Sequence, residues 1–108
     1  MSPMIRSPKV KNPGLDSNTA SAVADRFKIL SDPTRVRLLA ALADRELCVS
    51  ELTEMLQMEQ SAVSHQLRTL RGWHLVRNRK VGRQVYYTLN DQYIRDLLSR
   101  SLAHVEEA

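Results

Sequence analysis

Apolar residues recur along the chain at two different periods, and the change of period divides it. Val23, Phe27 and Leu30 are spaced as on one helical face, which predicts a helix beginning at Ser17 or Thr19. Ser31-Asp32-Pro33 ends that helix and starts a second. Asp32 can accept hydrogen bonds from the free N–H groups of a first turn, and Pro33 suits the first helical position, where no N–H is needed. Val36, Leu38, Leu39 and Leu42 make the second helix apolar on most sides. A short third helix is predicted over Cys48 to Gln57, with Leu52, Met55 and Leu56 turned inward. After a tight Met58-Glu59-Gln60 connection, Ser61 is expected to cap a fourth helix that runs to about Trp73. Its inward stripe is Ala62, Val63, Leu67 and Leu70; its outward face is Ser61, Ser64, His65, Arg68 and Arg71. Gly72 stands where a C-terminal cap is expected.

Beyond the fourth helix the period falls to two. Leu75 to Lys80 and Arg83 to Leu89 alternate as strands around a Val81-Gly82 turn. Asp91 then opens a last helix carrying Ile94, Leu97, Leu98, Leu102 and Val105. Residues 1–17 hold Pro3, Pro8, Pro13 and Gly14 without periodicity, which predicts a flexible tail and leaves 18–108 as one domain. The expected fold is therefore mainly α with a β-hairpin wing, of the α+β class, in the order α-α-α-α-β-β-α. The third and fourth helices form a helix-turn-helix and the hairpin is its wing.

Composition narrows the function. The 108 residues are 43% hydrophobic and 26% charged, enough for one soluble core. Aromatics are only 5%, against an all-β domain. No apolar run approaches the roughly 20 residues that cross a bilayer, and the first residues lack the apolar segment of a secretory signal. The single cysteine fits a reducing cytoplasm and cannot by itself build a closed structural zinc site. Ser64 and His65 are neighbours on a helix and diverge by about 100°, so they form no nucleophile–base pair. With glycine only at 14, 72 and 82, there is no phosphate-binding loop, and an enzyme is not expected.

The net charge is +4, but its layout says more. Gln60 to Asn90 contains no Asp or Glu and holds Arg68, Arg71, Arg77, Arg79, Lys80 and Arg83, six of the 16 basic residues. The rest of the chain is slightly acidic. An acid-free stretch of this length, spread over a helix and a hairpin, is suited to a polyanion. Gln60, Ser61, Ser64, His65, Gln66, Arg68 and Arg71 lie on or beside a helix that fits the major groove, where Gln and Arg pair with adenine and guanine edges. Arg68 and Arg71 serve either base edges or phosphates. The wing-tip residues Arg79, Lys80 and Arg83 suit phosphates or an adjacent minor groove. RNA or protein binding by the same fold is the competing use.

Four segments in order carry a resemblance. Asp32-Pro33-Thr34-Arg35-Val36-Arg37-Leu38-Leu39, Glu46-Leu47-Cys48-Val49-Ser50-Glu51-Leu52, Gln60-Ser61-Ala62-Val63-Ser64-His65-Gln66-Leu67 and Gly82-Arg83-Gln84-Val85-Tyr86-Tyr87 resemble the ArsR/SmtB family of metal-responsive repressors, most nearly its zinc-sensing branch. The resemblance implies a homodimer, joined through the first and last helices, on a palindromic double-stranded DNA operator that an inducer releases.

It also implies two places to look for metal. The first uses thiolates on the third helix; here Cys48 stands alone, Ser50 occupies the place of the second cysteine, and the N-terminal arm has neither Cys nor His, so that site is not expected. The second lies between the last helices of two subunits, and its motif matches at Asp91, His104 and Glu107. Asp91 precedes His104 by 13 residues, about 20 Å along one helix, so only antiparallel helices of two subunits bring them together. The zinc branch has a histidine where this chain has Tyr93, and a phenol with a pKa near 10 is a poor ligand. Carboxylate, imidazole and carboxylate remain, so the resemblance still implies zinc or a similar divalent ion, with water in the fourth place. The alternative keeps DNA binding but loses the metal, with a redox role for Cys48, another ligand, or no inducer.

Overall fold

A computed structural model of the chain describes residues 14–107. The flexible tail expected over residues 1–17 falls mostly outside that range. Five helices and three short strands follow one another as α1 (Ser17–Ile29), α2 (Pro33–Ala41), β1 (Leu47–Cys48), α3 (Val49–Leu56), α4 (Gln60–Gly72), β2 (Val76–Val81), β3 (Gln84–Leu89) and α5 (Gln92–Glu107).

The helix starts follow local chemistry. Asp16 accepts from the Thr19 N–H at 2.7 Å, and Asp32 from the Thr34 N–H at 3.1 Å with Pro33 beside it. Asp91 accepts from the Ile94 N–H at 3.0 Å and so begins α5 one residue later. Cys48 precedes α3 rather than opening it, and its N–H donates to the Glu51 carboxylate at 3.0 Å. Ser61 is not the cap of α4: the helix begins at Gln60, Glu59 holds the cap position, and no side chain caps it.

The helix ends also differ from expectation. Gly72 is the last residue of α4, and the left-handed residue is His74, at φ 63. Its N–H donates to Arg71 O at 2.9 Å, and the Leu75 N–H donates to Leu70 O at 3.0 Å. This is a Schellman closure, which places the reversal two residues past the last helical position.

The expected two-stranded hairpin is a three-stranded antiparallel sheet in the order β1-β3-β2. Leu47 pairs with Tyr87 and Cys48 with Tyr86. Two residues are too few to show a period of two, so this strand is invisible to pattern reading. The wing turn is Gly82-Arg83, with Val81 opposite Gln84, one residue later than expected. Gly82 adopts φ 62, a left-handed conformation that glycine takes without steric cost.

One core lies under α2, α3, α4 and the sheet: Leu38, Leu39, Leu42, Leu52, Val63, Leu67, Leu70 and Ile94 are almost fully buried. Two expected core positions turn outward. Met55 is 45% exposed because Leu52 and Leu56, four apart, already define the buried line of α3. Ala62 is exposed because α4 buries Val63, Leu67 and Leu70, and its neighbour falls about 100° away.

No residue of α1 is fully buried, and only Ile29 at its end is half-buried against the core. The radius of gyration is 16.3 Å, against about 13 Å for a compact chain of this length. The excess reflects α1 and the C-terminal half of α5 lying outside the core.

Candidate nucleic-acid interface

The C-terminal half of α4 lies beside strand β2, and the two elements supply the charge around them. Burial of Val63, Leu67 and Leu70 leaves the opposite side of α4 to Ser61, His65, Arg68 and Arg71, all exposed, with Ser64 half-buried beside them. Gln60, at the helix start, is exposed as well. Gln66 is elsewhere: it is half-buried and its Nε2 donates to Asp32 Oδ2 at 3.3 Å. It joins α4 to the start of α2 instead of facing outward.

A second tie holds the far end of α4. The Arg35 guanidinium lies 4.8 Å from the centre of the Trp73 ring, and its Nη1 donates to Ile29 O at 3.3 Å. Arg37 Nη2 donates to Leu56 O at 3.0 Å. Helix α2 thereby sets the ends of α1, α3 and α4, and the pitch of α4 is fixed by buried contacts on one side only, which frees the other for a ligand.

The wing carries Lys80 and Arg83 exposed at its tip. Arg79 is also exposed, but its Nε and Nη2 both reach the Glu46 carboxylate at 2.7 Å. That bond holds the Glu46 carboxyl below its ordinary range and raises the Arg79 guanidinium. Arg77, the residue of β2 two places earlier, donates to Asn90 Oδ1 at 3.4 Å. A cleft of about 580 Å³ separates the C-terminal half of α4 from β2, and no Asp or Glu lines it. Reading the sequence for surface charge alone passes over this cleft, since it depends on how the Schellman closure folds β2 back beside α4.

The candidate metal ligands occupy the two ends of α5. Asp91 is half-buried and uses Oδ1 on the Ile94 N–H; His104 and Glu107 are exposed and share one helical face. Among the described residues of one chain, no three His, Cys, Asp or Glu side chains cluster. Asp91 can ligate through Oδ2 and still cap the helix, so the donor set fits a divalent ion provided that a second subunit supplies half of it. Cys48 is buried, with Sγ 3.2 Å from Ser50 Oγ. Tyr87 packs on the core, while Tyr86, on the opposite face of β3, is half-buried. Among the described residues no helix is long and apolar enough to cross a membrane.

Comparison with known proteins agrees with this geometry. Residues 32–78 match the model of the bacterial regulatory protein, arsR family. The chain is 46% identical over 89 residues to a transcriptional repressor SmtB homolog of Synechocystis, covering 82% of this chain and 67% of the relative. It is 42% identical to the HTH-type transcriptional regulator NmtR of Mycobacterium tuberculosis, covering 85% and 77%. The crystal structure of the AntR antimony-specific transcriptional repressor superposes with a TM-score of 0.80 at 31% identity, covering 99% of this chain and 94% of the other. The chain therefore belongs to the ArsR/SmtB family and is a winged-helix DNA-binding transcriptional regulator, not an enzyme.

Proposed function

We propose that the protein is a dimeric repressor that holds a palindromic operator with paired α4 helices and wings, and that a divalent metal, zinc first, releases it. The observation that carries the DNA half is the exposed row Ser61, His65, Arg68 and Arg71 on α4, continued by Lys80 and Arg83 on the wing, without an acidic residue anywhere from Gln60 to Asn90. Ser61, Ser64 and His65 sit toward the helix start, where base edges are read; the arginines follow toward the backbone.

Dimerisation is supported by what one chain leaves uncovered. Phe27 on α1 is 57% exposed, and Leu102 and Val105 on α5 are 56% and 68% exposed. Large exposed side chains on these two helices are surface that a second copy can bury isologously.

The metal half rests on Asp91, His104 and Glu107. Antiparallel pairing of two α5 helices sets Asp91 of one protomer beside His104 and Glu107 of the other, giving two equal sites. When bound, the ion would supply a cross-link between subunits. The chain's own residues do the rest: Asp91 anchors the start of α5, and Arg95 on the next turn donates to Ala43 O at 3.0 Å and Leu89 O at 2.9 Å. A fixed α5 thus reaches the connection after α2 and the end of the wing, and a changed subunit angle misaligns the two α4 helices. Coupling of this kind is reciprocal, so operator DNA weakens metal binding by the same factor. The redox alternative meets a thiol that is only 4% exposed, which hinders oxidant access.

The test is operator affinity with and without zinc, for the wild type and His104→Ala. The reading requires zinc to lower affinity in the wild type and to do little in the variant. No zinc effect in the wild type removes the sensor reading and leaves the DNA-binding one standing.

A further inference from the structure

We propose that the cleft between the C-terminal half of α4 and β2 seats a phosphate of the DNA backbone, with Arg77 as its main charge. This rests on the DNA-binding reading above and makes it more specific.

Three arginines, Arg68, Arg71 and Arg77, and the imidazole of His74 line this cleft, together with the amides of Asn78 and Asn90. The charge is gathered from two elements that the Schellman closure brings side by side. His74 stands at that closure, and its φ of 63 turns the chain so that β2 runs back past Arg68 and Arg71. Among the described residues Arg77 has no carboxylate within ion-pair distance, whereas Glu46 is held at two points by Arg79. Arg79 is thus paired within the chain at the surface, and Arg77 is left with a neutral partner. Its bond to Asn90 Oδ1, at 3.4 Å, goes to a neutral side chain and aims the guanidinium without neutralising it.

The position along α4 suits backbone and not bases. Arg68 and Arg71 continue the stripe of Ser61 and His65. Ten residues separate Ser61 from Arg71, about 15 Å of helix, more than the roughly 12 Å width of a major groove. A helix whose first turn meets base edges therefore carries its last turn, and the cleft beside it, to the flanking phosphates. Guanidinium forks and an imidazole are donors matched to phosphate oxygens.

The experiment compares the wild type, Arg77→Gln and Arg45→Gln, the last removing the same charge from the exposed connection between α2 and β1. Each is titrated with an operator duplex and an unrelated duplex over a range of salt, after circular dichroism has shown equal folding. The expected result for Arg77→Gln is a loss of about fivefold on both duplexes at physiological salt, and a salt slope shallower by about 0.9, the signature of one phosphate contact. Arg45→Gln is expected to shift neither so far. Equal behaviour of the two variants overturns the seat, and a loss confined to the operator overturns it in favour of base reading. Competition by millimolar inorganic phosphate at constant ionic strength overturns it in favour of a free-anion site. If the wild type itself binds no duplex in a salt-dependent way, the DNA reading fails, an outcome distinct from a wild type that binds beside an Arg77 variant that binds equally well.

Discussion

Arg79 and Glu46 face each other across strand β3 in a two-point bridge, with both N–O distances at 2.7 Å. The pair spans the sheet from β2 to the residue before β1 and fixes the root of the wing relative to the segment that leads into α3. It is solvent-exposed, so its contribution to global stability is small; its effect is on where the wing points.

The pH dependence of that bridge has a definite sign. The Arg79 hydrogen bond lowers the folded-state pKa of Glu46, and the Thr19 N–H lowers that of Asp16 in the same direction. A depressed carboxyl contributes stability that is present above its unfolded pKa and lost as pH falls through its folded pKa. Thermal midpoints of the wild type and Glu46→Gln are therefore expected to differ slightly at neutral pH and to converge on acidification below the ordinary carboxylate range. A gap that widens in acid contradicts the assignment.

Asp32 ties the start of α2 to α4. It caps α2 through Thr34, accepts from Gln66, and lies 3.9 Å from Arg35. Asp32→Ala is expected to cost about 1–2 kcal/mol in denaturant unfolding, the usual scale of a lost cap with a partner left unpaired. Asp32→Asn keeps the cap acceptor and is expected to recover most of that loss, since the ion pair is long.

The hydrophobic periods made the helices, the wing strands and the basic face legible from residues alone, because each rests on a repeated local signal. What escaped notice depends on distant partners. Strand β1 exists only because Tyr86 and Tyr87 offer it a ladder. Gln66 looked like a base reader by residue type and position, but its neighbour in space is Asp32, 34 residues earlier. Arg77 and Arg79 are equivalent in the sequence, two places apart on one strand, and only the fold distinguishes them: one fork meets a carboxylate, the other an amide. The α5 ligand set rests on the resemblance alone, since one chain places Asp91 at one end of the helix and His104 and Glu107 at the other.

The outer faces of α1 and α5 supply the next prediction. Leu102→Glu with Val105→Glu puts four charges into the proposed dimer seam. At about 1.5–3 kcal/mol for each buried apolar side chain, self-association is expected to weaken by a factor of about 100 or more. Both side chains are more than half exposed in one chain, so the monomer should keep its helical circular dichroism. Sedimentation equilibrium reads the mass, and operator affinity is expected to fall with it. A variant that remains dimeric moves the interface elsewhere.

The last prediction concerns the residue that departs from the zinc branch. Tyr93 is 54% exposed on the first turn of α5, two places after Asp91, which keeps one oxygen on the helix cap and one free. A phenol is a poor zinc ligand and leaves a proposed site of carboxylate, imidazole and carboxylate with water as the fourth ligand. Tyr93→His replaces that water with a neutral nitrogen donor on the same exposed face and costs the core nothing. Zinc affinity of the dimer, read by competition against a chelator, is expected to rise by at least about tenfold, the scale that even an outer partner of a ligand commands. The gain should vanish when His104→Ala is added, because the partner helix then no longer supplies an imidazole to complete the site. Unchanged affinity in Tyr93→His would take residue 93 out of the ligand set, and the proposed pairing of Asp91 with His104 and Glu107 would then have to be set aside along with it.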